Sequence, residues 1–161
     1  MKRITVNGNE YKIKFGYLAV SSSNLLGETL NMITRVENML SKKEEDNEEI
    51  DEVTSMQLMS EVIPLVGKMT LAGLQRYHAD VFGVDYEDEA DVRKKLKSVL
   101  ELLDEYFDPE EGEPEESAIE MFWDYVNEFR SSGFLSGKVT ETEAVQQTLP
   151  IEPQDHKKAQ K

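Results

Sequence analysis

The chain has 161 residues, 33 acidic against 18 basic, a formal net charge of -15, two histidines and no cysteine. That length supports one domain with a real core. The absence of cysteine removes disulfides, thiol nucleophiles and thiolate metal sites, and the acidity disfavours contact with nucleic-acid phosphates or anionic membranes.

The opening, MKRITVNGNEYKIKFGY, reads as a β-hairpin. Asn7-Gly8 is the pair favoured where both central turn residues need positive φ. Pairing about that turn sets Ile4 opposite Tyr11 and Lys2 opposite Ile13. Ile4, Val6, Tyr11, Ile13 and Phe15 then share one face, and Arg3, Thr5, Lys12 and Lys14 the other. A two-stranded hairpin is marginal alone in water, so its apolar face must be docked on something.

After Gly16 the hydrophobic period becomes helical. Ser21 to Asn24 supply N-cap candidates, and a start at Tyr17 is equally open. Leu25, Leu26, Thr29, Met32, Ile33, Val36 and Met39-Leu40 follow helical spacing, and this helix is expected to end near Ser41. Lys42 to Glu52 reads as a solvated loop or a frayed helix end. A second helical region covers Val53 to Phe82, with Met56, Met59, Ile63 and Val66 as a stripe. Pro64 predicts a kink or break between Glu61 and Gly67, with Thr70 capping the second half and Gly83 ending it.

The third helix runs from about Asp88 to Phe107. Val92, Leu96, Val99, Leu100, Leu103, Tyr106 and Phe107 give it the clearest amphipathic face, and acids at its start suit the helix dipole. The fourth is expected to start at Pro114 and to carry Ile119, Phe122, Trp123, Val126 and Phe129 on one side. Ser131-Ser132-Gly133 ends it. Beyond Ser136 the sequence is polar and reads as a disordered tail. The expected fold is therefore α+β and mostly helical. A hairpin packs on about four to five helices in a domain of residues 1–134, followed by a flexible tail of 135–161.

Chemistry-bearing patterns are sparse. His78 and Asp80 are two residues apart and do not share a helix face, so His78 reads as structural rather than as a general base. The acidic run from Asp85 has Ala90 where a calcium loop needs glycine and Leu96 where it needs a bidentate Glu. The run from Asp108 places Gly112 one position early. Gly67-Lys68-Met69-Thr70 echoes the end of a phosphate loop but lacks its earlier glycine. The expectation is no catalytic residue, no metal and no cofactor.

Methionine-rich surfaces adapt to variable apolar partners. Most of the six helical methionines read as core. Met56, Met59, Met69, Leu71 and Trp123 are the candidates for a partner surface.

The string Lys2, Ile4, Val6, Asn7, Gly8, Glu10, Tyr11, Ile13, Lys14 and Phe15 resembles the start of tail assembly chaperones of long-tailed bacteriophages. Members of that family often begin "K-I-x-I-N-G-K-E-Y-x-L-K-F". The resemblance covers about the first 20 residues; beyond them it is one of size, helical content and acidity. It implies a non-catalytic protein of the bacterial cytoplasm that keeps the tape measure protein soluble and helps recruit tail tube subunits. Such proteins often form homo-oligomers and are absent from the finished virion. Many are also made in a longer, frameshifted form, for which codons at Gly137-Lys138 or Lys157-Lys158 are candidates. The competing reading is an acidic DNA mimic or another inhibitor or adaptor protein.

Overall fold

The computed structural model describes residues 1–46, 51–109, 112 and 114–133. The expected tail, 135–161, lies outside the described residues, as does part of the acidic run before Asp51. In chain order the elements are β1 (Lys2–Val6), β2 (Asn9–Ile13), α1 (Tyr17–Ser22), α2 (Leu25–Asp46), α3 (Glu52–Leu74), α4 (Ala79–Phe82), α5 (Glu89–Phe107) and α6 (Ala118–Arg130). The fold is mostly helical with an N-terminal antiparallel hairpin, as expected. Two short helices, α1 and α4, join the four long ones.

The hairpin has the anticipated register, with Ile4 opposite Tyr11 and Lys2 opposite Ile13. Asn7 and Gly8 both take positive φ, 49° and 74°, the backbone of the turn that matches strand twist. Ile4, Val6, Ile13 and Phe15 are buried and Tyr11 is half-buried. Each such burial contributes about 1.5–3 kcal/mol, which is what a lone hairpin lacks. Phe15 packs edge-on to Tyr125, with ring centroids 5.9 Å apart, and lies 4.5 Å from the Phe129 ring.

The outer edge of β2 is hydrogen-bonded to the end of α3. Lys14 N–H donates to the Gly73 carbonyl at 3.0 Å, and Lys12 N–H donates to Nε2 of His78, also at 3.0 Å. This resolves the role of His78: it accepts from a strand edge and its ring packs on Tyr11, centroids 5.6 Å apart. Gly73 makes the approach possible. A Cβ there would sit 2.4 Å from Ile13 Cγ2.

α3 is the central element and packs against α2, α5, α6 and β2. It runs unbroken through Pro64, so of the expected kink or break the break does not occur. Pro64 is exposed, while Val62, Leu65, Val66 and Met69 around it are buried, so packing on both sides holds the helix together despite the missing hydrogen bond. The expected stripe of Met56, Met59, Ile63 and Val66 is accordingly rotated. Val66 is buried, but Ile63 and Met56 face solvent. Thr70 is not a cap. It lies inside α3, fully buried, and its hydroxyl bonds the Val66 carbonyl at 2.8 Å and the Tyr125 hydroxyl at 2.9 Å.

Three further boundaries differ. A chain corner at Ser23-Asn24, with Asn24 at φ 52°, separates α1 from α2. α2 continues to Asp46 rather than stopping near Ser41. α6 begins after Ser117, not at Pro114, because Ser117 and Glu120 form a reciprocal capping box. Asp88 caps α5 as its acids suggested, accepting from the Ala90 and Asp91 amides.

Candidate functional site

The surface candidates named from sequence do not converge on one site. Met69 is fully buried and Leu71 is 3% exposed, because the second half of α3 is the core of the molecule. Trp123 is half-buried against Phe122. Met59 is half-buried, and Met56 is exposed near the start of α3. Leu71 does reach the floor of a depression of about 430 Å³, which also touches Tyr86, Val92 and Leu96.

Open apolar depressions also lie elsewhere, along α1, α2 and α6. One depression, about 450 Å³, is lined by Tyr17, Val20, Leu26, Gly27 and Leu30 among others. A second, about 590 Å³, is lined by Leu26, Leu30, Ile33, Val126 and Phe129, with Thr34, Glu37 and Arg130 at its edges. They adjoin at Leu26 and Leu30, and the second is the groove between α2 and α6. Tyr17 is 71% exposed, Leu30 54% and Leu26 36%. Leu18, on the same short helix as Tyr17, is also exposed.

The local chain explains why these side chains stay outside. The buried stripe of α2 is Leu25, Thr29, Met32, Ile33 and Val36. Leu26 and Leu30 are four apart, and so stack on one face of α2 beside that stripe rather than within it. The left-handed Asn24 turns α1 away, which sets Tyr17 at the head of the groove instead of over it. Helical spacing alone placed Leu26 with the core. The signal available in the sequence was the Leu26–Leu30 pair lying off the main stripe.

The groove binds by shape and apolarity. Its hydroxyls are occupied: Thr29 donates to the Leu25 carbonyl at 2.7 Å and Thr34 to the Leu30 carbonyl at 3.1 Å. Nearby ion pairs, Arg35 with Glu61 and Lys68 with Glu28, tie α2 to α3 and fix the wall.

The strongest electrostatic cluster lies under β1. Lys2 Nζ contacts Glu116 at 2.6 Å and Asp124 at 2.7 Å, and Tyr106 donates to the same Glu116 oxygen at 2.7 Å. Burial works against the Lys2 charge, but the hydrogen bonds and charges of Asp124 and Glu116 outweigh it and hold the ammonium above its ordinary range. Burial, then the Glu116 carboxylate, pushes the Tyr106 phenol well up. Burial also raises Tyr125, against its hydrogen bond with Thr70. The cluster fastens the hairpin to α6 and keeps its lysine protonated, an arrangement suited to structure rather than to proton transfer.

Among the described residues, no group of three His, Asp or Glu is placed to hold a metal ion. No helix among them is long and apolar enough to cross a membrane. Comparison with protein families, curated proteins and solved structures gave no match.

Proposed function

We propose that this chain is a phage tail assembly chaperone, non-catalytic, which holds apolar helical segments of a tape measure protein in the groove between α2 and α6. The observation that carries the reading is that groove, with Tyr17, Leu26 and Leu30 exposed on a protein of net charge -15. An exposed apolar strip on a highly charged body suits a holdase: the strip captures, and the charge keeps the complex dispersed. The portion of α2 from Leu26 to Glu37 rises about 16 Å, enough to seat roughly three turns of an amphipathic helix. The N-terminal string that resembles the family forms the docked hairpin, and so would act as scaffold rather than as the contact surface.

The wider reading follows from the same resemblance. The protein would act in the cytoplasm of a bacterial host, deliver tail tube subunits, form homo-oligomers and be left out of the mature virion. A nucleic-acid partner is disfavoured by charge. A DNA-mimic role finds less support, because Asp51, Asp88 and Glu120 are engaged as helix caps rather than aligned as a phosphate-like row.

Co-expression with the tape measure protein of the same phage tests this. The native chain should raise that protein's soluble yield, and the Leu26→Asp/Leu30→Asp variant should not. No gain with the native chain overturns the reading.

A further inference from the structure

We infer that two copies of this chain pair through the outer face of α3, laid antiparallel across each other with Ser60 at the two-fold axis. Val53, Met56, Ser60, Ile63, Pro64 and Gly67 recur at helical spacing and so lie on one face of α3. Val53 is 65% and Met56 66% exposed, and Ser60, Ile63 and Pro64 are exposed with them. At Gly67 the face is continued by α5. A Cβ on that glycine would meet Leu100 Cδ2 at 2.8 Å, and Leu100 is itself exposed. The result is an apolar strip along α3 and α5.

The strip carries opposite charge at its two ends. Asp51 and Glu52, both exposed, stand at its start. At the other end, Lys68 and Arg93 share the rim of the depression over Leu71. Arg93 opens the run Arg93-Lys94-Lys95-Leu96-Lys97, the densest basic stretch of an acidic chain. Glu28 pairs with Lys68 and Glu89 also lies on that rim, but Arg93 and Lys94 carry no ion pair among the described residues. A strip that runs from acid through apolar to base complements its own reverse, which is what an isologous two-fold contact requires. Reversal about Ser60 sets Met56 against Pro64 of the second copy, Val53 against its Gly67 and Leu100, and Glu52 against its Lys68. The stretch from Glu52 to Lys68 rises about 24 Å. That is a small interface, so the pair exchanges with single copies at micromolar concentration. No residue of the strip lines the groove between α2 and α6, so both grooves stay open in the pair. The inference rests on the proposed function only for the expectation of self-association; the face and its register come from α3 and α5.

Sedimentation of the full-length chain from about 1 to about 200 μM covers the relevant affinities. The native chain should pass from one copy to two over that range. Met56→Asp/Ile63→Asp should stay a single copy, and Leu26→Asp/Leu30→Asp should still pair. A native chain that stays single at the top of the range overturns the inference, as does assembly into three or more copies. Pairing that survives Met56→Asp/Ile63→Asp overturns it too. Pairing lost in Leu26→Asp/Leu30→Asp also overturns it, and assigns the contact to the groove between α2 and α6. The cysteine-free sequence lets the register be read directly. Helices packed about 8–10 Å apart bring facing Cα atoms on a two-fold axis within about 6 Å, inside disulfide range. Ser60→Cys should therefore form a disulfide between copies at least about tenfold faster than Ser98→Cys, which is exposed on α5. Equal rates overturn the register. Neither measurement involves the tape measure protein, so failed pairing and a failed holdase reading are told apart.

Discussion

Gly73 shows how one residue fixes the docking of a whole element. Its missing side chain lets β2 lie on α3 close enough for Lys14 to bond the Gly73 carbonyl. Gly73→Ala drives a methyl into Ile13, and overpacking of this kind costs about 1–3 kcal/mol. Urea unfolding should show a lower midpoint at unchanged slope. At the start of α6, Ser117 holds the Glu120 carboxyl below its ordinary 4.5 through backbone and side-chain hydrogen bonds. A depressed carboxyl stabilises the fold above its unfolded pKa, and the contribution is lost as pH falls through the folded value. Acid unfolding of the native chain should therefore have a component below about pH 4.5 that Ser117→Ala reduces, since it loses the hydroxyl but keeps the residue's backbone donor to Glu120. An identical acid limb in the two proteins would count against the cap. This box was legible: Ser-x-x-Glu ahead of an apolar run is an N-terminal signature, and Pro114 drew the boundary four residues early. The hairpin was legible in full, because Asn-Gly fixes the turn and strict alternation fixes the faces. His78 was legible only as structural, since its partner, the Lys12 amide, comes from 66 positions away.

Among the helices, the difference between expectation and structure is concentrated where a local preference meets a strong core. Pro64 argues for a break, and the break does not occur because the residues around it are needed in the interior. Pro64→Ala restores a backbone donor and relieves the clash with the preceding turn, and should stabilise the protein by up to about 3 kcal/mol. A lower thermal midpoint for that variant would mean that the proline shapes α3 in a way the rest of the fold requires. α2 shows the opposite failure. Its helical spacing was plain, but spacing does not tell which of two neighbouring leucines faces inward. Leu25 is fully buried and Leu26 lines the groove because the Asn24 corner fixes the rotation of the helix. The left-handed Asn24 had no separate signal among four consecutive polar residues, each of them a candidate cap. The groove was missed for that reason. The methionine criterion pointed to both halves of α3: Met56 is exposed and Met59 half-buried in the first, whereas Met69 fills the interior of the second.

At the scale of the molecule, acidity and apolar exposure act together. A net charge of -15 on 161 residues opposes compaction by self-repulsion. Raising sodium chloride from about 20 to about 300 mM, roughly a fourfold cut in Debye length, should raise the thermal midpoint by a few degrees. A midpoint that falls with salt would mean that the ion pairs of Lys2, Arg35 and Lys68 outweigh the repulsion. The hairpin has a further consequence, and it concerns synthesis. Its own hydrogen bonds can form as soon as it leaves the ribosome, but Phe15 is covered by Tyr125 and Phe129, which are made last among the described elements. At roughly 5–20 residues per second the interval is on the order of ten seconds. Throughout it, the nascent chain carries a finished turn with a bare apolar face. Lysines and an arginine on the opposite face, next to an acidic stretch emerging behind them, are what that waiting strand has to discourage premature pairing.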